Sequence, residues 1–327
     1  MHAMTYRRYG GPEVLQYEQV EQPTPGPQQV LVQVHAAALN AADSYLLHGE
    51  PAPLRLSTGL FSPKNPILGA DIAGRIVAVG SAVSQFQVGD AVYGDLSGNG
   101  LGGFAEYVCA PAAALAHKPA TLSFEQAAAV PMAAVTALQG LRLGGQIEPG
   151  QEVLIHGASG GVGMFALQIA KAQGAHVTAV CSSRNIEQAH SLGADQVIDY
   201  TTTDFVQQDQ RYHLVLVANG QRTLSEYCQV VRPSGRCIVA GGNVQQIFAA
   251  MLLGPLYAMR SGLTVRSLTA KPNQNDLRTI SAMIDAGTIR PIIERSYPLQ
   301  DLPDALRYHA EGHARGKIVI TIAASER

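Results

Sequence analysis

The sequence predicts an α/β protein in which an irregular β-rich domain precedes a doubly wound parallel sheet. Three observations carry that expectation. Short β-like runs punctuated by Gly and Pro fill the early chain, an Ala-rich helical stretch then breaks that texture, and from Gln151 the order becomes strand, glycine-rich turn, helix, strand.

The early strands are expected at Val30–Ala36, Ile72–Gly80, Asp90–Tyr93 and Phe104–Cys109, each bounded by turn-forming residues. The segment TLSFEQAAAVPMAAVTALQGL then reads as helix, with Thr121 or Ser123 as the N-cap. The domain boundary is placed there, giving a first domain of residues 1–122 and a second of 123–268. Within the second domain EVLIHG is the first strand, Gly161–Gln173 the helix after the glycine-rich turn, and HVTAV the second strand. QVIDY, LVLVANG, RCIVAGG and LTVRSL follow at spacings that allow crossovers between parallel strands. A helix at Asn275–Ala286 and the strand KIVITI remain, so residues 269–327 are expected to complete the first domain.

Length and composition agree with two folded domains. The chain has 327 residues, 46% of them apolar and 15% charged, which excludes disorder. A formal charge of -2 with both signs scattered gives no basic footprint for nucleic acid and no polybasic membrane patch, so the expected partner is a small molecule. Cys109, Cys181, Cys228 and Cys237 lack C-x-x-C spacing, which points to a reducing compartment. With no signal-like start and no apolar run of membrane-spanning length, the expected location is the cytoplasm.

His156-Gly157-Ala158-Ser159-Gly160-Gly161-Val162-Gly163 lies between an expected strand and an expected helix. Small residues let a backbone approach a pyrophosphate closely, and the free N–H groups at the helix start stabilise its charge. In that setting the turn reads as a dinucleotide site, although a tight packed turn would use the same glycines. At the end of the second strand, where an acid would accept from a ribose 2′-hydroxyl, the chain has Cys181-Ser182-Ser183-Arg184. Hydroxyls and a guanidinium suit a 2′-phosphate, so NADPH is the expected cofactor, unless Arg184 is merely a solvated helix-start residue.

The strings LNAADSYLLHG, PILGADIAGRIVAVGSAVSQFQVGDAVYG, GGFAEYV, HGASGGVG and SLGADQVIDY together resemble the medium-chain dehydrogenase/reductase superfamily over essentially the whole chain. That resemblance implies a GroES-like first domain, completed by the C-terminus, and a Rossmann second domain. CSSRNIEQAHSLGADQVIDY and GHARGKIVI narrow it to the quinone oxidoreductases, including the chloroplast-envelope and mitochondrial reticulon-interacting branches. Carried over residue by residue, it implies cofactor contacts at Asn40, Thr136, Ser159, Gly160, Gly161, Val162, Ser182, Ser183, Arg184, Tyr200, Ala218, Gly241, His313, Ala314 and Arg315. It also implies a homodimer.

Zinc-dependent members of that superfamily bind the metal with Cys and His, but the matching positions here are Asn40, Ala70 with Asp71 beside it, and Met132. No metal is expected. Without a Lewis acid, the easier reaction is hydride transfer to an already electron-poor quinone or α,β-unsaturated carbonyl. Tyr45 and Asn40 are the candidate catalytic residues: a phenol can donate to a developing oxyanion, and an amide can hold the cofactor. Asn40 as a turn residue and Tyr45 as packing stay open. The apolar stretches 51–66 and 245–259 could line the acceptor or form a dimer contact. Two other functions share these motifs, namely an NADPH-binding regulator or scaffold and a reductase of enoyl thioesters.

Overall fold

The structure is a computed structural model describing residues 1–242, 244–312 and 315–322. Strands β1 (His2–Thr5), β2 (Gln16–Gln19), β3 (Gln29–Ala38), β4 (Asp71–Val79), β5 (Ala91–Asp95), β6 (Tyr107–Pro111) and β7 (Leu115–His117) come first. Then follow β8 (Glu152–His156), β9 (His176–Cys181), β10 (Gln196–Asp199), β11 (Tyr212–Val217), β12 (Val231–Val239) and β13 (Thr264–Ser267). The chain closes with β14 (Ile293–Pro298) and β15 (Lys317–Thr321).

The chain divides into two compact units. The first holds Met1–Met132, Pro272–Asp285 and Pro291–Arg327, and the second Ala133–Lys271 and Ala286–Arg290. Ser123–Met132 therefore lie with the first unit, ten residues past the boundary drawn from the sequence. The physical reason is local: the helix Phe124–Ala128 packs on β3 and β4. Of the two possible caps, Ser123 starts that helix, its hydroxyl accepting from Gln126 N at 3.2 Å while Gln126 Oε1 accepts from Ser123 N at 3.0 Å.

In the first unit one sheet runs β14-β15-β3-β4-β5-β7, with β6 also paired to β3. All its pairings are antiparallel except β14 with β15. Thus β15, from the end of the chain, hydrogen-bonds to β3 within this unit's sheet. Its buried apolar residues form two clusters, one including Val30, Val32, Val34, Ile72, Ile76 and Val92 and the other Leu39, Leu47, Leu302, Ile318 and Ile320. The expected strand at Phe104–Cys109 begins only at Tyr107, because Phe104 is held by backbone bonds to Leu68 and Met4 and fills the core.

In the second unit six parallel strands run β10-β9-β8-β11-β12-β13. Val153, Leu154 and Ile155 of β8 are fully buried, as befits a strand covered on both faces. The chain goes one way from β8 to β9 and β10, then returns to the other side at β11. The crevice outside the strand ends at β8 and β11 is where such a sheet takes a ligand. Arg290 belongs here because buried Gln168 donates to its carbonyl at 3.0 Å and accepts from its N–H at 2.9 Å.

Candidate functional site

The turn after β8 has the shape its composition suggests. Gly157 has a φ of 80°, and a Cβ there would meet the Asn219 carbonyl oxygen at 2.4 Å. A Cβ on Gly163 would lie 2.1 Å from the Gly157 oxygen, so the helix Gly161–Ala172 can start hard against the turn only with glycine. Across the crevice, Ala218 N and Asn219 N both donate to the His156 carbonyl, at 2.9 and 3.2 Å. Ser159, Gly160, Gly161 and Val162 are half-buried at this helix start, which has no acidic residue in its first turn. A cradle of small residues under free N–H groups fits a dinucleotide pyrophosphate.

The 2′-phosphate candidates gather beside it. β9 ends at Cys181, Ser182 is half-buried, and Ser183 and Arg184 are exposed on a short 3₁₀ turn. β10 ends alongside, with Asp199 in register with Cys181 and Tyr200 N donating to the Cys181 carbonyl at 3.1 Å. Tyr200 is 52% exposed. Asn185 Nδ2 donates to Ser182 Oγ at 3.0 Å, and Ser183 Oγ donates to Asp199 Oδ2 at 2.5 Å. The end of β9 carries no acid, but the neighbouring strand brings Asp199 to the same place, which no local pattern in the sequence signals. Ala218 and Gly241 follow β11 and β12, and Gly241 N donates to Val217 O at 3.2 Å. Buried Thr136 lies one turn before Gly140, which abuts Leu216 and Ala240.

His156 is the last residue of β8. Its Nδ1 pairs with the Tyr227 hydroxyl at 2.8 Å, and burial, aided by the Arg222 charge, pushes the imidazole pKa down to about 4. The ring is therefore neutral near neutral pH and serves as a packed polar strut.

In the first unit Asn40 is buried. Its Nδ2 donates to Asp71 Oδ2 at 3.0 Å, and its Oδ1 accepts from Lys317 Nζ at 2.5 Å. Lys317 also donates to Leu39 O at 2.9 Å and to Asp71 Oδ2 at 3.3 Å. Asp71 Oδ1 accepts from Met132 N at 2.9 Å. Asp43 accepts from Asn40 N at 2.9 Å and Gly69 N at 3.2 Å. The Asn40 amide is thus held inside a buried network. Burial is the main cause that raises Asp43 to about 7 and Asp71 to about 6, although Lys317 opposes it in both. Asp95, paired with Asp71 across β4 and β5, is also raised by burial.

This network does not fit zinc. Where the metal's ligands would stand there is an amide, a thioether residue and a carboxylate already bound to an ammonium, and a buried cation repels a second one. Among the described residues, no cluster of three or more His, Cys, Asp or Glu could hold a metal.

Tyr45 is 40% exposed on the helix Ala41–His48, whose first turn carries the Asn40–Asp43 contacts. Leu56, Leu60 and Phe61 of the 51–66 stretch are exposed, as are Phe248, Met251, Leu252 and Met259 on the helix Val244–Ser261. Arg315 N donates to Glu294 Oε2 at 2.6 Å. His313 and Ala314 lie outside the described residues. Among these no helix is long and apolar enough to cross a membrane.

Residues 26–120 match the alcohol dehydrogenase GroES-like domain family and residues 192–320 the zinc-binding dehydrogenase family. The chain is 34% identical to a chloroplast envelope quinone oxidoreductase homolog of Arabidopsis thaliana, over 98% of both chains. It is 34% identical to the mitochondrial NAD(P)H oxidoreductase RTN4IP1 of Mus musculus, over 98% of this chain and 89% of that one. The solved structure of a quinone oxidoreductase from Coxiella burnetii superposes with a TM-score of 0.87 at 30% identity, covering 99% of each chain.

Proposed function

We propose that this chain, which belongs to the medium-chain dehydrogenase/reductase superfamily and to its quinone oxidoreductase type, is an NADPH-dependent, zinc-independent reductase of quinones or α,β-unsaturated carbonyls. The observation that carries this reading is the cofactor edge of the second unit. A glycine cradle at the β8 helix start adjoins a β9 terminus that offers Ser182 and Arg184 in place of an acid.

In this reading Ser159, Gly160, Gly161 and Val162 bind the pyrophosphate through their backbone. Ser182, Ser183, Arg184 and Tyr200 surround the 2′-phosphate, while Ala218 and Gly241 leave room along the crevice. Thr136 and the segment of His313, Ala314 and Arg315 complete the set carried over from the family. NADPH, when bound, supplies the hydride. Tyr45, exposed on the helix Ala41–His48, donates to the oxygen where charge develops, whereas Asn40 acts by keeping that helix start rigid. The exposed apolar helix beside the edge strand β13 suits a homodimer.

The test is NADPH consumption by purified protein, in chelator, with quinones, alkenals and enoyl thioesters offered separately. Sustained turnover with quinones or alkenals supports the reading. Turnover confined to enoyl thioesters changes the substrate class, and tight NADPH binding with no turnover favours a regulator or scaffold.

A further inference from the structure

At the β9 and β10 termini the two adjacent serines hold their protons differently. A serine hydroxyl has one proton to donate and lone pairs to accept. Ser182 Oγ accepts from Asn185 Nδ2 at 3.0 Å, and that contact leaves its proton for an outside acceptor. Ser183 Oγ donates its single proton to Asp199 Oδ2 at 2.5 Å, and Thr201 Oγ1 lies 3.1 Å away. Asp199 Oδ1 in turn accepts from Thr201 N at 2.9 Å and Thr201 Oγ1 at 2.7 Å. Hydrogen bonds, first that of Ser183, hold the Asp199 carboxyl below its usual range, so it is an anion throughout the neutral range.

We propose that Asp199 is a specificity-determining residue for the cofactor: it keeps Ser183 from donating to a 2′-phosphate and sets a negative charge beside it, so that preference for the phosphorylated cofactor is held shallow. This rests on the NADPH reading above and names the residue that opposes it. A phosphate needs donors, and here the exposed serine nearest to Arg184 in the chain has none to give while Asp199 is charged. Ser182 and Arg184 then discriminate against the repulsion of a carboxylate.

The substitution Asp199→Asn removes the charge and reverses one hydrogen bond with almost no change of shape. The oxygen of the introduced amide would still accept from Thr201 N, preserving the turn, while its NH₂ group would donate to Ser183 Oγ and release that hydroxyl's proton. The probes are adenosine 2′,5′-bisphosphate and 5′-AMP, which differ only in the 2′-phosphate, with dissociation constants measured by titration calorimetry on the full chain. Asp199→Asn should tighten the bisphosphate roughly tenfold, the size of one hydrogen bond to a charged group, and move 5′-AMP by less than about twofold. Adding Ser183→Ala to Asp199→Asn should take back the part of the gain that the released hydroxyl carries and leave the part that comes from the lost charge.

An unchanged bisphosphate constant in Asp199→Asn overturns the inference, as does a gain that Ser183→Ala leaves undiminished. Weaker 5′-AMP binding with no gain for the bisphosphate would make Asp199 a ribose contact and also overturn it. Arg184→Ala, run in parallel, separates the two levels. If it weakens the bisphosphate while Asp199→Asn does nothing, the NADPH reading stands and only this inference falls. If neither the native protein nor Asp199→Asn prefers the bisphosphate, both fall.

Discussion

The first unit keeps its charged candidate residues dry, whereas the second keeps its own at an open rim. Asp43, Asp71, Asn40 and Lys317 are each at most 8% exposed and bound to one another, while Ser183, Arg184 and Tyr200 face solvent over a backbone cradle. The difference teaches where energy is stored. In the network, removing one partner leaves a buried charge with nothing to balance it, so the damage appears as lost stability. At the rim, water replaces what is removed, so the damage appears as altered ligand affinity.

Lys317→Met is the strongest test of that contrast. The thioether chain fills a similar volume but leaves Asp71 without its ammonium, and breaking a buried pair costs about 3–5 kcal/mol. Denaturant unfolding should show the loss near neutral pH and a smaller loss in acid, where Asp71 takes up a proton instead. A change under about 1 kcal/mol at both pH values would mean the network carries little and the contrast is wrong.

Gly157→Ala probes the cradle, where backbone geometry is the constraint. Its φ of 80° and the Asn219 oxygen 2.4 Å from the new Cβ make a strain of roughly 1–3 kcal/mol. Both nicotinamide dinucleotides should weaken together, since the turn serves the part they share. Selective loss of one would place the 2′-phosphate nearer this turn than the strand order implies.

These two regions also differ in how far the sequence announced them. The cradle was legible because a Gly-rich turn between strand and helix is a local pattern, and the parallel sheet followed from apolar runs at crossover spacing. The network was not, because Lys317 meets Asp71 only through the pairing of β15 with β3 and β3 with β4, a long-range register no local pattern encodes. Its one signal was a lysine heading the apolar run KIVITI. Asp199 escaped for the same reason: it is distant in sequence from Ser183 and reaches it because β10 lies beside β9. The compact units divide ten residues after the boundary drawn near residue 122, because the helix Phe124–Ala128 packs on β3 and β4, a long-range contact no local pattern encodes.

The pH dependence of stability sharpens the contrast, since a buried group in each unit pulls in an opposite direction. Asp43, raised to about 7, binds a proton more tightly folded than unfolded, so its contribution is full below the ordinary aspartate range and is lost as pH rises toward 7. His156, lowered to about 4, does the reverse: its contribution is full above the ordinary histidine value and is lost as pH falls. Asp43→Asn removes only the first. Its stability deficit against the native protein, measured by denaturant unfolding, should therefore shrink by on the order of 2 kcal/mol between about pH 5 and pH 8. A deficit independent of pH would show that Asp43 titrates as an ordinary carboxyl.

The smallest expected effect falls at the rim, on Ser182. Its oxygen accepts from Asn185 Nδ2 at 3.0 Å, which orients the hydroxyl and leaves its proton to donate outward. A neutral hydroxyl bond contributes about 1 kcal/mol, so Ser182→Ala should weaken NADPH roughly fivefold and leave NADH within about twofold. Because the lost donor is uncharged, this factor should persist when salt is raised, whereas the loss in Arg184→Ala should shrink as the phosphate–guanidinium attraction is screened. The side chain is half-buried but its donor Asn185 is buried, so the variant leaves that amide without this acceptor and should lose about 1 kcal/mol of unfolding stability, well short of Lys317→Met. Dissociation constants for both cofactors at low and high salt, beside denaturant curves for the same variant, separate the outcomes. A stability loss as large as that of Lys317→Met would put Ser182 with the dry network's kind of residue and erase the distinction between the two regions. Equal weakening of NADPH and NADH would instead keep the distinction but remove Ser182 from the reading of the 2′-phosphate.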